Sequence, residues 1–206
     1  MITGDEIELN GMVKSTRPIY IDRDAVVPVG NYGATKGLNA EVVNYGTIKN
    51  ENEYGGVMFD YDSKVTNYGT IDAGNGNVSL RGSYFYNAEG ARVIAGEQVS
   101  IGSENLLIGL GVRGTFENYG YIEAKGSVGS NCGIVITADG KNYGTIFSSK
   151  NPYGGIQVKS DIENYGIIES AYEYGNALKK DHEGVFGTVT NLDGGTTTPA
   201  FKQSNY

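Results

Sequence analysis

The chain has 206 residues, with 16 Lys and Arg against 24 Asp and Glu, a formal net charge of −8. That balance argues against nucleic acid or an anionic membrane as partner, and no stretch approaches the roughly 20 apolar residues of a membrane span. The length suits one domain, and 32 Gly, 16 Tyr, 4 Pro and no Trp fit a turn-dense fold rather than disorder, because the apolar positions are periodic.

Residues 1–43 read as an N-terminal cap and an irregular first rung. Met1-Ile2-Thr3-Gly4-Asp5-Glu6 lacks the basic start and apolar run of a signal peptide. Ile7 and Leu9 alternate with charge and lead to an Asn10-Gly11 turn. Ile19, Ile21 and Ala25-Val26-Val27 follow, while Arg17-Pro18 and Val27-Pro28 interrupt pairing, as proline does at strand starts and edges. A coil of strands needs such caps, since its terminal rungs expose unpaired backbone.

The tripeptide Asn-Tyr-Gly then organises the chain. It begins at Asn31, Asn44, Asn67, Asn118, Asn142 and Asn164, with degenerate copies at Asn87 and Asn191. A motif that returns at such intervals marks a solenoid or an array. Four residues after the asparagine stand Ile48, Ile71, Ile122, Ile146 and Ile168. Two residues before it stand Val29, Val42, Val65, Phe85, Phe116, Ile162 and Val189, with Gly140 as the exception. Each copy is therefore a corner between two short strands, and each strand sends a side chain into a core.

A second motif sits about half a repeat later, as Tyr54-Gly55-Gly56-Val57-Met58-Phe59, Asn131-Cys132-Gly133-Ile134-Val135-Ile136 and Tyr153-Gly154-Gly155-Ile156-Gln157-Val158. Asn77-Val78-Ser79-Leu80 is its short form. The runs are β-branched and alternate with period two. They are too short for stable hairpins and suit the rungs of an all-β parallel β-helix, stacked about 4.8 Å apart. Rungs of 20 to 24 residues that vary in length favour the right-handed form over the strict hexapeptide register of left-handed coils. At the corner, glycine is expected to supply positive φ and asparagine to tolerate the left-handed region. In register, the asparagines would form a ladder of amide hydrogen bonds. Tyr45, Tyr68, Tyr119, Tyr143 and Tyr165 would form a second column of stacked rings with wet hydroxyls.

Residues 44–190 hold the rungs. The rung from Asn87 to Asn118 is long, and is either one rung with an insertion or one and a half; its run Leu106-Leu107-Ile108-Gly109-Leu110-Gly111-Val112 reads as core, the alternative being a contact surface. Gly74-Asn75-Gly76 and Gly109-Leu110-Gly111 lack the Lys-Ser/Thr and helix of a phosphate loop, and no Gly-Gly-x-Gly-x-Asp tandem binds calcium. Cys132 is the only cysteine, so no internal disulfide forms, and it reads as a small apolar filler, the alternative being an intermolecular disulfide or a reactive thiol. His182, the only histidine, lies in the charged insertion Lys179-Lys180-Asp181-His182-Glu183, with no second His or Cys close by in sequence. No metal, cofactor or catalytic residue is expected. Residues 191–206 read as a hinge and an extended, β-prone tail, able to add a strand to a neighbouring subunit through contacts at Phe201 and Tyr206.

Asn44-Tyr45-Gly46-Thr47-Ile48, Asn67-Tyr68-Gly69-Thr70-Ile71 and Asn142-Tyr143-Gly144-Thr145-Ile146 match the Asn-x-Gly-Thr-Ile rung. In this the chain resembles the right-handed β-helical passenger domains of autotransporters and filamentous-haemagglutinin-like adhesins, over most of residues 31–191. It departs from them in holding tyrosine at their variable position and in lacking a secretion domain or C-terminal barrel. The resemblance implies a secreted or surface-exposed, non-enzymatic protein and carries over no functional residue.

Three functions compete. The expected one is a structural subunit that stacks head to tail into an extracellular or surface filament, because unlike ends build open polymers. The second is an adhesin or carbohydrate-binding surface, with tyrosines stacking on sugar rings; the plainer reading is that the rings pack on one another. The third is a polysaccharide lyase or hydrolase, which needs clustered carboxylates. Asp60, Asp62, Asp72, Glu123, Asp139, Glu163 and Glu169 are scattered over the corners, and only Asp60-Tyr61-Asp62 is a close pair.

Overall fold

A computed structural model describes residues 2–3, 6–15, 19–22, 35–38, 41–50, 56–60, 63–102, 114–125, 133–149, 155–170 and 187–198. Its strands are β1 (Ile2–Thr3), β2 (Glu6–Leu9), β3 (Met12–Ser15), β4 (Ile19–Asp22), β5 (Thr35–Leu38), β6 (Glu41–Asn44), β7 (Thr47–Asn50) and β8 (Val57–Asp60). Then come β9 (Lys64–Asn67), β10 (Thr70–Asp72), β11 (Val78–Leu80), β12 (Tyr84–Asn87), β13 (Arg92–Ala95), β14 (Val99–Ile101), β15 (Thr115–Asn118) and β16 (Tyr121–Ala124). The last are β17 (Ile134–Ile136), β18 (Asp139–Asn142), β19 (Thr145–Ser148), β20 (Ile156–Val158), β21 (Asp161–Asn164), β22 (Ile167–Ser170), β23 (Thr188–Asn191) and β24 (Thr196–Thr198).

The strands form three parallel eight-stranded sheets, so the fold is the all-β parallel β-helix that the repeat predicts. Sheet I runs β1-β4-β5-β8-β11-β14-β17-β20, sheet II β2-β6-β9-β12-β15-β18-β21-β23, and sheet III β3-β7-β10-β13-β16-β19-β22-β24. From β5 to β22 the chain visits sheets I, II and III in strict rotation. The second motif supplies sheet I, and each Asn-Tyr-Gly corner joins sheet II to sheet III.

Register is held by the pleat. In most sheet II strands the second and fourth residues face inward, as in the exposed–buried–intermediate–buried pattern of β6, β9, β15 and β21. A one-residue slip would turn both outward. Like therefore stacks on like: Val57, Val78, Val99, Ile134 and Ile156 in sheet I, and Ile48, Ile71, Val93, Ile122, Ile146 and Ile168 in sheet III, all buried. Gly140, the exception in the apolar column, pairs with Phe116, whose ring overlies it. A Cβ there would meet the ring 2.4 Å away, so the missing side chain makes room for the oversized one before it.

The long rung is resolved as a single coil. β12, β13, β14 and β15 succeed one another, and Asn87 pairs directly with Asn118. Its apolar run 106–112 lies outside the described residues. At the N-terminal end the rotation is broken: β4 and β5 are successive in the chain yet adjacent in sheet I, while β2 and β3 pair directly with β6 and β7. Thr196–Thr198 pairs within the chain, against β22. Phe201, Tyr206, Cys132, His182 and Asp62 lie outside the described residues, as does the side chain of Asp60.

Candidate functional site: an asparagine column inside, a tyrosine column outside

Each sheet II strand from β6 to β23 ends on the motif asparagine, in the inward position. An amide buried there must find partners, and the coil above and the coil below provide them. Nδ2 of Asn44 donates to Oδ1 of Asn67 at 2.7 Å, Asn67 to Asn87 at 2.8 Å, and Asn87 to Asn118 at 2.8 Å. Asn118 donates to Asn142 at 2.7 Å, Asn142 to Asn164 at 2.8 Å, and Asn164 to Asn191 at 2.7 Å. The second Nδ2 proton reaches the first carbonyl of the sheet III strand in the following coil, at Thr70, Arg92, Thr145, Ile167 and Thr196. Oδ1 also accepts from the glycine N–H two residues on, at Gly46, Gly69 and Gly166.

The six amide bonds all point the same way, so the dipoles along the chain of amides reinforce one another. The column ends differently at its two termini. Asn191, exposed, donates to its own Thr197 Oγ1 at 3.2 Å. At the other end the register partner of Asn44 is Leu9, which needs no hydrogen bond. Asn31, expected in this column, lies outside the described residues.

The motif glycine is required for a reason other than the one its sequence suggests. None of Gly46, Gly69, Gly120, Gly144 and Gly166 has positive φ, and neither do the column asparagines. A Cβ on Gly69 would stand 2.0 Å from the carbonyl oxygen of Gly46; on Gly144, 2.1 Å from that of Gly120; on Gly166, 2.1 Å from that of Gly144. These glycines exist because one coil's backbone lies against the next. Among the described corners between sheets II and III, left-handed backbone is confined to the degenerate ones, at Gly90 (φ 79°), Asp193 (φ 46°) and Gly194 (φ 91°), each corner being closed by a turn bond, Ala91 N–H to Ala88 O and Gly195 N–H to Leu192 O; elsewhere it occurs at Gly74, Gly102 and Gly114.

Outside, the tyrosines stack. Ring centroids are 4.9 Å apart for Tyr45–Tyr68, 4.6 Å for Tyr119–Tyr143 and 4.7 Å for Tyr143–Tyr165, with planes within 8° of parallel. The Asn87 corner carries Ala88 in place of tyrosine. Tyr86, an outward residue of β12, fills the gap with tilted contacts to Tyr68 at 6.1 Å and Tyr119 at 5.7 Å. Among the described residues the column is thus six rings long. Sequence reading missed Tyr86 because it precedes the asparagine; the Ala88 that breaks the motif is the signal that points to it.

Charged groups brace the tyrosines. Tyr165 Oη donates to Glu163 at 3.0 Å, Lys141 Nζ pairs with the same oxygen at 3.0 Å, and Tyr119 Oη donates to Glu117 at 3.4 Å. The Lys141 hydrogen bond, then that from Tyr165, holds the Glu163 carboxyl below its ordinary range, and the bond to Glu163 raises Lys141 and Tyr165. Desolvation and then the Glu117 charge raise Tyr119.

Asp72, Glu123 and Glu169 occupy outward positions of sheet III, and Asp139 and Glu163 outward positions of sheet II. Among the described residues no group of three His, Cys, Asp or Glu is placed to hold a metal ion, and no helix is long and apolar enough to cross a membrane. No family model, no curated protein and no solved structure matches the chain.

Proposed function

We propose that this protein is a non-enzymatic structural element whose coils stack head to tail, copy on copy, into a filament. The motif's polar chemistry is spent within the coil. Every buried column amide bonds to another coil, and Tyr143 has a ring against each of its faces, which leaves no open face for a sugar there.

One observation carries the reading: the two ends of the coil are complementary. In the interior, a regular corner already rests on a degenerate one. A Cβ at Gly120 would strike Ala91 O at 2.3 Å and Ala88 O at 2.6 Å. The last described corner, Asn191-Leu192-Asp193-Gly194-Gly195, is as long as Asn87-Ala88-Glu89-Gly90-Ala91 and is closed by the same turn bond, with Asp193 left-handed where Glu89 is not. The first regular corner, Leu9-Asn10-Gly11, has, among the described residues, nothing within 4 Å of a Cβ at Gly11. Seating one copy's Gly11 on another's Leu192–Gly195 turn repeats the interior packing. β23 would pair with β2 and β24 with β3, bringing Val189 over Ile7, Asn191 over Leu9 and Thr197 over Val13. Asn191 is already bonded to Thr197, so the apolar Leu9 strands no amide.

The variant Gly11→Ala tests this. Its Cβ enters open space in a single copy and collides with the neighbour in a stack. The expected result is wild-type circular dichroism with filaments lost in electron microscopy and sedimentation velocity. Wild-type protein that stays monomeric at every concentration, or Gly11→Ala that polymerises as well as wild type, overturns the proposal. The surface or extracellular setting rests on the resemblance to passenger-domain rungs, and surface labelling of intact source cells tests it.

A further inference from the structure

The tyrosine column has a property that packing alone does not call for. Its six phenols touch in unbroken series, Tyr45, Tyr68, Tyr86, Tyr119, Tyr143 and Tyr165, with centroid separations between 4.6 and 6.1 Å. The rings lie on the outside of the coil, with Tyr45 and Tyr68 about half exposed. Electron transfer between aromatic rings weakens exponentially with the gap, so rings in contact are its favourable limit. A phenol that loses an electron becomes a strong acid and must shed its proton to a base at the hydroxyl. Two rings have such a base in place, Glu117 at Tyr119 and Glu163 at Tyr165. Lys141 keeps the Glu163 carboxylate ionised and ready to accept. The chain contains no tryptophan to trap the hole.

We propose that the column is a relay for oxidising equivalents, carrying a hole along the coil surface from a one-electron oxidant docked at one end. The oxidant gains one electron from the ring beside it, and that ring's hydroxyl proton leaves to water or to its carboxylate. A neutral tyrosyl radical remains. The next phenol gives one electron to this radical and its own hydroxyl proton to water or to its carboxylate, while the first hydroxyl recovers a proton from the same acceptor. At Tyr165 the Oη–H bond breaks, the proton passes to Glu163 Oε2, and the hole rests as a tyrosyl radical beside a carboxylic acid. Each hop conserves electrons and protons, and only the terminal oxidant is reduced.

The column's own register supplies the test. Asn10 is exposed and stands one coil before Tyr45, in the same place relative to the corner. A ruthenium polypyridyl photo-oxidant is attached to full-length protein at Asn10→Cys, in a Cys132→Ser background. Tyr165 is replaced by 3-aminotyrosine, whose lower potential traps the radical. Flash oxidation is expected to give the aminotyrosyl signal by electron paramagnetic resonance. Tyr86→Phe keeps a ring in the gap but removes the oxidisable hydroxyl, and is expected to abolish the distal signal while circular dichroism stays unchanged. A distal signal that survives Tyr86→Phe overturns the relay, as does the absence of any radical at position 165 with all six rings present. The filament reading does not enter this experiment, which is run on dilute single copies.

Discussion

Two kinds of corner do the same job in this molecule, and their difference shows which motif residue matters. At Asn67-Tyr68-Gly69 two residues separate the sheet II strand from the sheet III strand; at Asn87-Ala88-Glu89-Gly90-Ala91 four do. The short corner runs close under its neighbour and tolerates no Cβ at Gly69. The long corner swings clear: Gly90 has nothing within 4 Å, and Ala91 stands where the short corners have glycine. Tyrosine is absent there as well, and its place in the stack is taken by Tyr86 from outside the motif. Asparagine alone is common to both kinds, because its amide accepts from one neighbouring coil and has two N–H donors for the other, one for the next amide and one for a backbone carbonyl.

The largest effect should come from breaking that common element. Asn118→Leu leaves Asn87 Nδ2 without its acceptor and Asn142 Oδ1 without its donor, both buried. At about 1–3 kcal/mol per orphaned group, the expected loss is about 2–6 kcal/mol in urea unfolding. Asn191→Leu, at the exposed end of the column, should cost only about 1 kcal/mol. Equal losses at the two sites would remove the column from the account of stability.

Next comes the glycine contrast. Gly69→Ala sets a Cβ against the Gly46 carbonyl oxygen and should cost about 3 kcal/mol, since backbone rather than a side chain must move. Gly90→Ala meets open space and bears only the left-handed strain, about 1–2 kcal/mol. Thermal melts of the two variants check the order. Were Gly90→Ala the more damaging, φ rather than close approach would rule both corners.

Smaller effects are expected on the outer face. Tyr143→Ala loses two parallel ring contacts of a partly exposed column, about 1 kcal/mol, with no change in coil content. The Tyr165–Glu163–Lys141 group should give a shallow pH dependence. Glu163 is lowered, so its contribution is present above the ordinary carboxylate range and lost as pH falls through the folded value. Tyr165 and Lys141 are raised, so theirs is present below their ordinary values and lost as pH rises through the folded ones. Stability should be flat between about pH 5 and pH 9, and Glu163→Gln should lessen both flanks. Unchanged flanks in that variant would show that the group adds nothing measurable, as many exposed ion pairs do.

The coil was legible before any coordinates because its determinants are local. Alternation in Lys64-Val65-Thr66-Asn67 declares an inward face within four residues, and the return of Asn-Tyr-Gly marks the same corner each time. The function was not legible in the same way. The motif residues bond to one another, and nothing in their order says what the remaining outer surface meets.

Sequence alone determined the parallel β-helix, its coil-by-coil spacing and the asparagine ladder at the corners, since strand alternation and corner chemistry act between neighbours in the chain. Tertiary structure alone decided that Tyr86 completes the outer column, that Gly140 yields its space to Phe116, and that the motif glycines answer to a carbonyl rather than to φ. Each of those depends on an atom one coil away, 18 to 33 residues distant along the chain. Only the stacking of coils brings such atoms together.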